Sequence, residues 1–517
     1  MVKIIILNNK CQIIGLTDSK VLYDLDMKMS YQSPGYEFVK NNYSRYAAWD
    51  GRIRLFEHKK YFPIGLLPIV RRTLQINGIE FEEVDHRNHS RGVELPIIDS
   101  DFKPRDYQLE VVQKASEAES GVIRMCTGSG KTSVIAMLYG KFNVKTVIYV
   151  IGLELLYQMK ETIERLLGVE CGIVGDGTCK IVDGPNICTI WTAARAFDLK
   201  ADVLDSDLTP DREVSVENKK AIQELVGSAR MFILDECQYA GSSSLQMLSK
   251  ISKEARFRFL LSGTPWREMG DDILIEAVSG PKFYDLPATT LINRGVLVPP
   301  KIYFMSVPKM RAAGKNYNEI YKNYIVNNDE RNSLIVDATL QLAGAGKKVL
   351  ILVSKVEHGK VLYEMLDGKL EVDSLNGSTS ADARMTAIKL MRNGKLNVLI
   401  ASKIFDQGID IPELDALILA GSGKSSARAL QRIGRVIRSY PGKKWANVIE
   451  FWDNAKYLEE HSKLRLKIYK SEPAFQIKFE ERNIEEQVSQ KPYEELSWEK
   501  DDRRRVLSKN SRVDKGR

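Results

Sequence analysis

A chain of 517 residues with 44% hydrophobic and 28% charged side chains is long enough for roughly three domains of ~150 residues, each with its own core. No apolar run approaches the ~20 residues that cross a bilayer, and "MVKIIILNNKCQ" has no small-residue cleavage site, so neither a spanning helix nor a signal peptide is expected. The six cysteines form no CxxC pair, the five histidines form no HExxH, and the net charge is +8; together these exclude a disulfide framework and a metal held by imidazoles, and point to reduced thiols in a cytoplasmic protein that favours a polyanionic partner.

Residues 1–98 read as a small α+β auxiliary domain of mixed strands and turns, ending in the polar "VDHRNHSRG". Its sharpest feature is "AAWDGRIRLF", Ala47 to Phe56, because Asp-Gly between apolar flanks favours a two-residue hairpin turn with positive φ. A loop at Asp50-Gly51 would pair Trp49 with Arg52 and Ala47 with Arg54. Alternation then places Arg45, Trp49, Arg52 and Arg54 on one face, suited to phosphate contact and to stacking on an unpaired base. The plainer reading leaves Trp49 as a cover for the hairpin and the arginines solvated.

From Phe102 to about Asp453 the pattern is apolar strand followed by amphipathic helix, the mark of parallel α/β sheets. Strand candidates include "TVIYVIG", "RMFILDE", "KVLILVS", "LNVLIAS" and "LDALILAG". The expected units are 99–295 and 296–456, divided near Pro299 and Pro300, with Leu199–Lys220 as a surface insertion. A charged extension, 457–517, follows, helical or partly disordered; its last 17 residues carry seven basic and three acidic side chains, a solvated tail or a phosphate-binding arm.

Within this frame "MCTGSGKT" sits between a short apolar stretch and a helical one. Thr127, Gly128, Ser129 and Gly130 would curl so that backbone N–H groups face phosphate oxygens. Lys131 would reach the β/γ-phosphates, and the Thr132 hydroxyl would ligate Mg²⁺. Upstream, "KPRDYQ" supplies Arg105 and Gln108, whose amide offers a donor and an acceptor to an adenine edge. "MFILDECQ" ends a buried strand in two carboxylates: Asp235 to hold Mg²⁺ through water, Glu236 to position and deprotonate the attacking water. Cys237 reads as a packed side chain. In "LQRIGRVIR", Arg432, Arg435 and Arg438 recur every three residues, and "FDQGIDIP" places Gly408 and Asp410 in a strand-end loop. Two facing α/β units would set Arg435 and Arg438 across a cleft from the nucleotide, so that closure and ATP hydrolysis are coupled.

In this order the motifs resemble those of the superfamily 2 helicases and translocases, over about Phe102 to Asp453. The resemblance implies tandem RecA-like motor domains, ATP and Mg²⁺ as cofactors, and Gln431 beside Arg435 and Arg438 in the catalytic set. It makes "LSGTPWR" (Ser262, Gly263, Thr264) the coupling motif. It further implies that Gly152 with Gln158, Thr192, Ser354, Asn376, Gly377 and Ser402 lie where the family touches the nucleic-acid backbone, through hydroxyls and main-chain amides. The fourth residue of "DECQ", usually His or Asp in the superfamily, is Gln238, which can still bridge to "SGT" by hydrogen bonds. The stretch "YSRYAAWDGRIRLFEHKKYFPIGLLPIVRR" resembles the N-terminal domain of phage branch-migration helicases of the UvsW type. That implies a monomeric, ATP-driven 3′-to-5′ motor acting on forks, displacement loops and four-way junctions in recombination, replication and repair, in the host cytoplasm. An RNA helicase, a restriction-type translocase subunit and an ATP-binding adaptor stand as alternatives.

Overall fold

The computed structural model describes residues 1–33, 36, 49–199, 214–265, 270–308, 314, 316–402, 411–421, 423 and 426–479. Three sheets organise them. The first, at the N-terminus, runs Tyr61–Pro63, Lys10–Ile14, Val2–Ile6, Phe81–Asp85, and buries Ile4, Ile6, Leu25, Phe62 and Leu74 beneath helices Ser19–Lys28 and Leu67–Ile76. This small unit sits against the second sheet's helices. Asn8 and Asn9 donate their side-chain amides to the Lys253 and Lys250 carbonyls at 3.0 and 2.7 Å, and the Gly65 backbone lies so close to the Glu276 carbonyl that a Cβ would have no room.

The second sheet has eight strands in the order Thr178–Lys180, Gly172–Gly175, Pro185–Thr189, Thr146–Val150, Met231–Asp235, Phe257–Ser262, Ser120–Met125, Lys282–Leu286. All neighbours are parallel except the first pair. The third has seven parallel strands: Val372–Leu375, Val398–Ala401, Val349–Leu352, Ala416–Ile418, Ala446–Trp452, Pro300–Ser306, Gln476–Phe479. The strands Thr146–Val150, Met231–Asp235, Val349–Leu352 and Val398–Ala401 are buried at every position, as their apolar runs, broken only by the terminal Thr146 and Asp235, require of a sheet covered on both faces. The α/β class expected from sequence is therefore the observed one. Pro300 opens the strand that starts the third sheet in sequence, where its missing N–H costs least. No helix among the described residues is long and apolar enough to cross a membrane.

Three local expectations change. Arg52–Arg54 does form a strand, and among the described residues its antiparallel partner is Ser30–Gln32, with Ser30 opposite Arg54 and Gln32 opposite Arg52; Ala47, expected opposite Arg54, lies outside the described residues. Gly51 keeps its positive φ of 76°, and a Cβ there would collide with the Tyr36 ring, so the Asp50-Gly51 bend delivers the strand to an upstream partner. Within the expected insertion, Val216–Ser228 is a helix capped by Ser215, whose hydroxyl accepts from the Asn218 amide. And inside the charged extension, where the helix Leu458–Lys470 is one of the two forms expected, Gln476–Phe479 adds an edge strand to the third sheet, past residue 456.

Candidate active site and nucleic-acid edge

The phosphate loop joins the strand Ser120–Met125 to the helix Lys131–Phe142. Gly128 and Gly130 take φ of 85° and 81°, where a side chain would be strained. At Gly130 a Cβ would also lie 2.5 Å from Gln108 Nε2. Gln108 is buried: its Nε2 donates to the Ser129 carbonyl at 3.2 Å, and its Oε1 accepts from the Arg105 backbone N–H at 2.9 Å. The Tyr107 hydroxyl donates to the same Ser129 carbonyl at 3.2 Å while accepting from Arg105 Nη1 at 2.8 Å. Gln108 thus braces the back of the phosphate loop, turned inward by the helix start at Asp106. Lys131 and Thr132 are half-buried in the first turn of the loop's helix, where the N-terminal dipole favours anions.

Asp235 is the buried last residue of its strand. Burial, and then the neighbouring Glu236 carboxylate, push its pKa up; the Lys131 ammonium opposes them. Glu236 adopts φ of 61°, left-handed and unfavourable for a non-glycine, and is held there by its carboxylate. Its Oε2 accepts from Gln238 Nε2 at 3.1 Å and from Gln431 Nε2 at 2.9 Å, and lies 3.2 Å from the Ser262 hydroxyl. Ser262 Oγ is also 2.7 Å from Gln238 Oε1 and accepts from the Thr264 amide at 3.0 Å. The bridge from Gln238 to the "SGT" segment is therefore present. Gln431 brings the contact across from the helix Ser426–Val436 of the third sheet's unit, so the carboxylate is read by both α/β units.

The same helix closes over the loop. A Cβ at Gly434 would lie 2.3 Å from Thr127 Cβ, so only glycine allows this approach. The Arg438 side chain runs within 3.6 Å of where a Gly128 Cβ would stand, and its backbone bridges to Leu297. Arg432 departs from the other two: it is buried inside its own unit. Cys237 is a buried thiol and Cys126 a partly buried one; desolvation pushes both pKa values up, the latter to about 12, which disfavours the reactive thiolate. Glu472 and Phe475, which no motif marks, line the same cleft with Thr127, Gly263 and Gln431. Gly408 and Asp410 lie outside the described residues.

The nucleic-acid candidates occupy the other half of the same sheet edges. Gly152 follows Thr146–Val150, and Thr192 follows the adjacent Pro185–Thr189. Ser354, Ser402 and Asn376 follow three consecutive strands, Val349–Leu352, Val398–Ala401 and Val372–Leu375. Carboxyl ends of parallel strands are where such folds bind ligands. Two of these residues do not present a hydroxyl outward: Thr192 is buried with its Oγ1 2.7 Å from Thr189 Oγ1, and Ser402 is buried. Gly377 is exposed, and the Asn376 carboxamide oxygen shapes its turn by accepting from the Ser378 amide at 2.9 Å.

The N-terminal arginines are more committed than the sequence suggested. Arg54 pairs with Asp26 at 2.7 Å and with Asp50; Arg52 Nε donates to Ser30 Oγ at 2.9 Å; the Trp49 indole N–H donates to the Arg52 carbonyl at 3.2 Å. Arg45 lies outside the described residues. Arg54→Ala would leave the buried Asp26 carboxylate without this cation; we expect a loss of about 1–2 kcal/mol in urea unfolding, discounted for Arg54's partial exposure. Unchanged stability would return Arg54 to a free surface charge.

Known proteins share this layout. The "Helicase conserved C-terminal domain" family matches residues 331–440, the "Type III restriction enzyme, res subunit" family residues 101–267, and the "DNA helicase UvsW, N-terminal" family residues 10–81. Over three separate stretches the chain is thus similar to helicases of superfamily 2. Among its relatives, the "ATP-dependent DNA helicase uvsW" of Enterobacteria phage T4 is 24% identical over 470 residues, covering 85% of this chain and 88% of that protein. The "DNA 3'-5' translocase XPB2" of Sulfurisphaera tokodaii is 24% identical over 406 residues, covering 71% and 85%. The fold alone is shared with S. cerevisiae Dbp5 bound to RNA and ADP BeF3, at TM-score 0.50 and 16% identity over 73% of this chain and 90% of that one. The helicase family models and the helicase-named relatives support an ATP-dependent helicase.

Proposed function

We propose that this helicase is a DNA motor that unwinds and branch-migrates forked or junction DNA, moving 3′ to 5′. The match of the N-terminal unit, residues 10–81, to the UvsW N-terminal family carries the branched-DNA part of this reading; the "WDGRIRL" resemblance and the T4 relative support it.

For the chemistry, Lys131, Thr132 and Asp235 fit a nucleotide with Mg²⁺. Ser129 Oγ and Thr264 Oγ1 are buried without hydrogen-bond partners beside the loop, and one carboxylate with one hydroxyl suffices for an ion that takes its other ligands from phosphates and water. When bound, Mg²⁺ supplies charge neutralisation at the phosphates. Glu236 accepts the proton of the attacking water. Its Oε2 is held by Gln238 and Gln431, which leaves the other oxygen of the carboxylate for that task. Arg435 and Arg438 offset charge developing on the transferred phosphoryl group, and they reach it only while the helix carrying Gly434 rests on Thr127. Closure of the cleft thereby gates hydrolysis, and strand movement along the opposite half of the sheet edges is paced by it.

The test is ATP hydrolysis measured with no polymer, single-stranded RNA, linear duplex DNA and a four-way DNA junction. The junction is expected to stimulate most. Greatest stimulation by RNA, or none by any polymer, would overturn the proposal.

A further inference from the structure

The helix that carries Gln431, Gly434 and Arg435 ends at Val436, and Arg438 follows two residues later. The last carbonyls of a helix have no partner inside it. One side of this end is tied to the connector between the α/β units. The Val298 amide donates to the Ile437 carbonyl at 2.8 Å, and the Ser439 hydroxyl to the Val296 carbonyl at 2.9 Å. The other side is tied by Lys443. The chain turns back through Gly442, at φ of 84°, and the Lys443 amide donates to the Tyr440 carbonyl at 2.9 Å. Its ammonium donates to the Val436 carbonyl at 2.6 Å, to the Leu414 carbonyl, and to the Pro412 carbonyl at 3.4 Å.

Lys443 thus joins two places that lie apart in the sequence. Pro412 and Leu414 belong to the turn that leads from "FDQGIDIP" into the strand Ala416–Ile418. Ile411 and Leu414 are buried there, and the Leu414 amide donates to the Ile411 carbonyl at 3.2 Å. A protonated lysine has three N–H donors, and here three carbonyls take them. The nearby acids serve other partners. Asp415 accepts from the Lys348 amide at 3.1 Å and lies 3.7 Å from Lys347 Nζ, and Glu413 lies 4.0 Å from Arg392 Nε. Burial lowers the Lys443 pKa to about 8; Asp415 and Glu413 oppose that shift, while Lys347 and Arg438 add to it.

We propose that Lys443 is a positioning residue for ATP hydrolysis: its ammonium pins the end of the arginine helix to the turn Ile411–Leu414 and so holds Arg435 and Arg438 in their working geometry. The inference rests on the roles proposed above for those two arginines. Arg438 shows what is at stake. Its side chain passes within 3.6 Å of where a Gly128 Cβ would stand, so a shift of the helix end moves it against the phosphate loop. A misplacement of about 1 Å costs such a site on the order of 10²-fold in rate. Deprotonation loosens the same tie. A neutral amine brings two N–H donors to three carbonyls, and it loses the charge that strengthens the bonds that remain.

The experiment measures kcat and KM for ATP with the full chain and a saturating four-way DNA junction, from about pH 7 to about pH 9.5. In the parent, kcat should turn downward near pH 8 and then fall by up to about tenfold per pH unit, with KM little changed, as when one protonated group is required. Cys126, at about 12, and Cys237, well above the usual thiol range, titrate above this window. Lys443→Met should lower kcat about 10²-fold at neutral pH and abolish the decline. Lys443→Arg keeps its charge throughout, so its profile should run flat whatever its level. In a chain carrying Arg435→Gln and Arg438→Gln, Lys443→Met should add nothing. A flat parent profile would overturn the proposal even if no variant folded. So would a decline that persists in Lys443→Met or Lys443→Arg, or a Lys443→Met kcat equal to the parent's. The arginine double variant tests the underlying reading by itself: if it keeps the parent's kcat, both fall, and if its kcat drops while the Lys443 results fail, only the proposal falls.

Discussion

Glu236→Gln is expected to lower ATP turnover by about 10²–10⁴-fold, the range a general base contributes, while nucleotide binding stays near that of the parent. The substitution preserves size and keeps one carbonyl oxygen for the donors Gln238 and Gln431. What it removes is the basic oxygen, together with the negative charge that raises the pKa of Asp235. Binding depends instead on the phosphate loop, whose glycine conformations and Gln108 brace do not involve Glu236. Phosphate release under saturating ATP and titration with a fluorescent nucleotide separate the two quantities. Gln431→Ala provides the matching control across the cleft. It keeps the base and removes one donor from it, so turnover should fall less than with Glu236→Gln, and the fall should be largest in the polymer-stimulated rate. Turnover of Glu236→Gln within tenfold of the parent would remove Glu236 from its assigned role.

How well the sequence disclosed this site follows from how local each feature is. The phosphate loop and the Asp235-Glu236 pair were legible because strand, turn and helix lie within a dozen or so residues, and glycine spacing and apolar runs report such geometry directly. Gln108 was legible as a participant, but its brace on Ser129 was not, since a capped helix start rotates it there and no pattern in "KPRDYQ" encodes that rotation. Thr192 failed similarly: its hydroxyl meets Thr189, one turn back. The strand partner found for Arg52–Arg54 was hidden for a different reason. Positive φ at Gly51 was foreseen, but the partner strand Ser30–Gln32 is three residues of polar character with no periodicity to announce it. Glu472 was invisible, because its charge merges with those around it in sequence while its carboxylate is buried against Arg124 and Thr289 of the second sheet's unit and the connector beyond it.

The largest stability effect is expected at Asp453→Ala. Asp453 and Arg331 form an ion pair at 2.9 Å whose side chains are 0% and 1% exposed, and Arg465 lies 4.0 Å from the same carboxylate. Removing the acid strands the Arg331 guanidinium in the interior of the third sheet's unit, while Arg465 keeps Glu450 at 3.2 Å; breaking a buried pair costs about 3–5 kcal/mol. Urea unfolding should show this as a lowered midpoint. The pair also has a functional reach. Arg331 Nη1 donates to the Ala420 carbonyl at 2.8 Å, and Arg465 Nη1 to the Gly423 carbonyl at 3.0 Å, so both arginines pin the segment that enters the helix carrying Gln431 and Gly434. Stability and activity can therefore be pulled apart. Arg331→Met with Asp453→Leu removes both charges of the pair and should recover much of the lost stability, because an apolar pair of similar volume replaces a desolvated one. It cannot restore the donor to Ala420, so ATP turnover should stay depressed while the unfolding midpoint returns. Recovery of both together would mean that the buried pair only supports the fold; recovery of neither would mean that Arg465, with Glu450 3.2 Å away, depends on Asp453 more than Arg331 does.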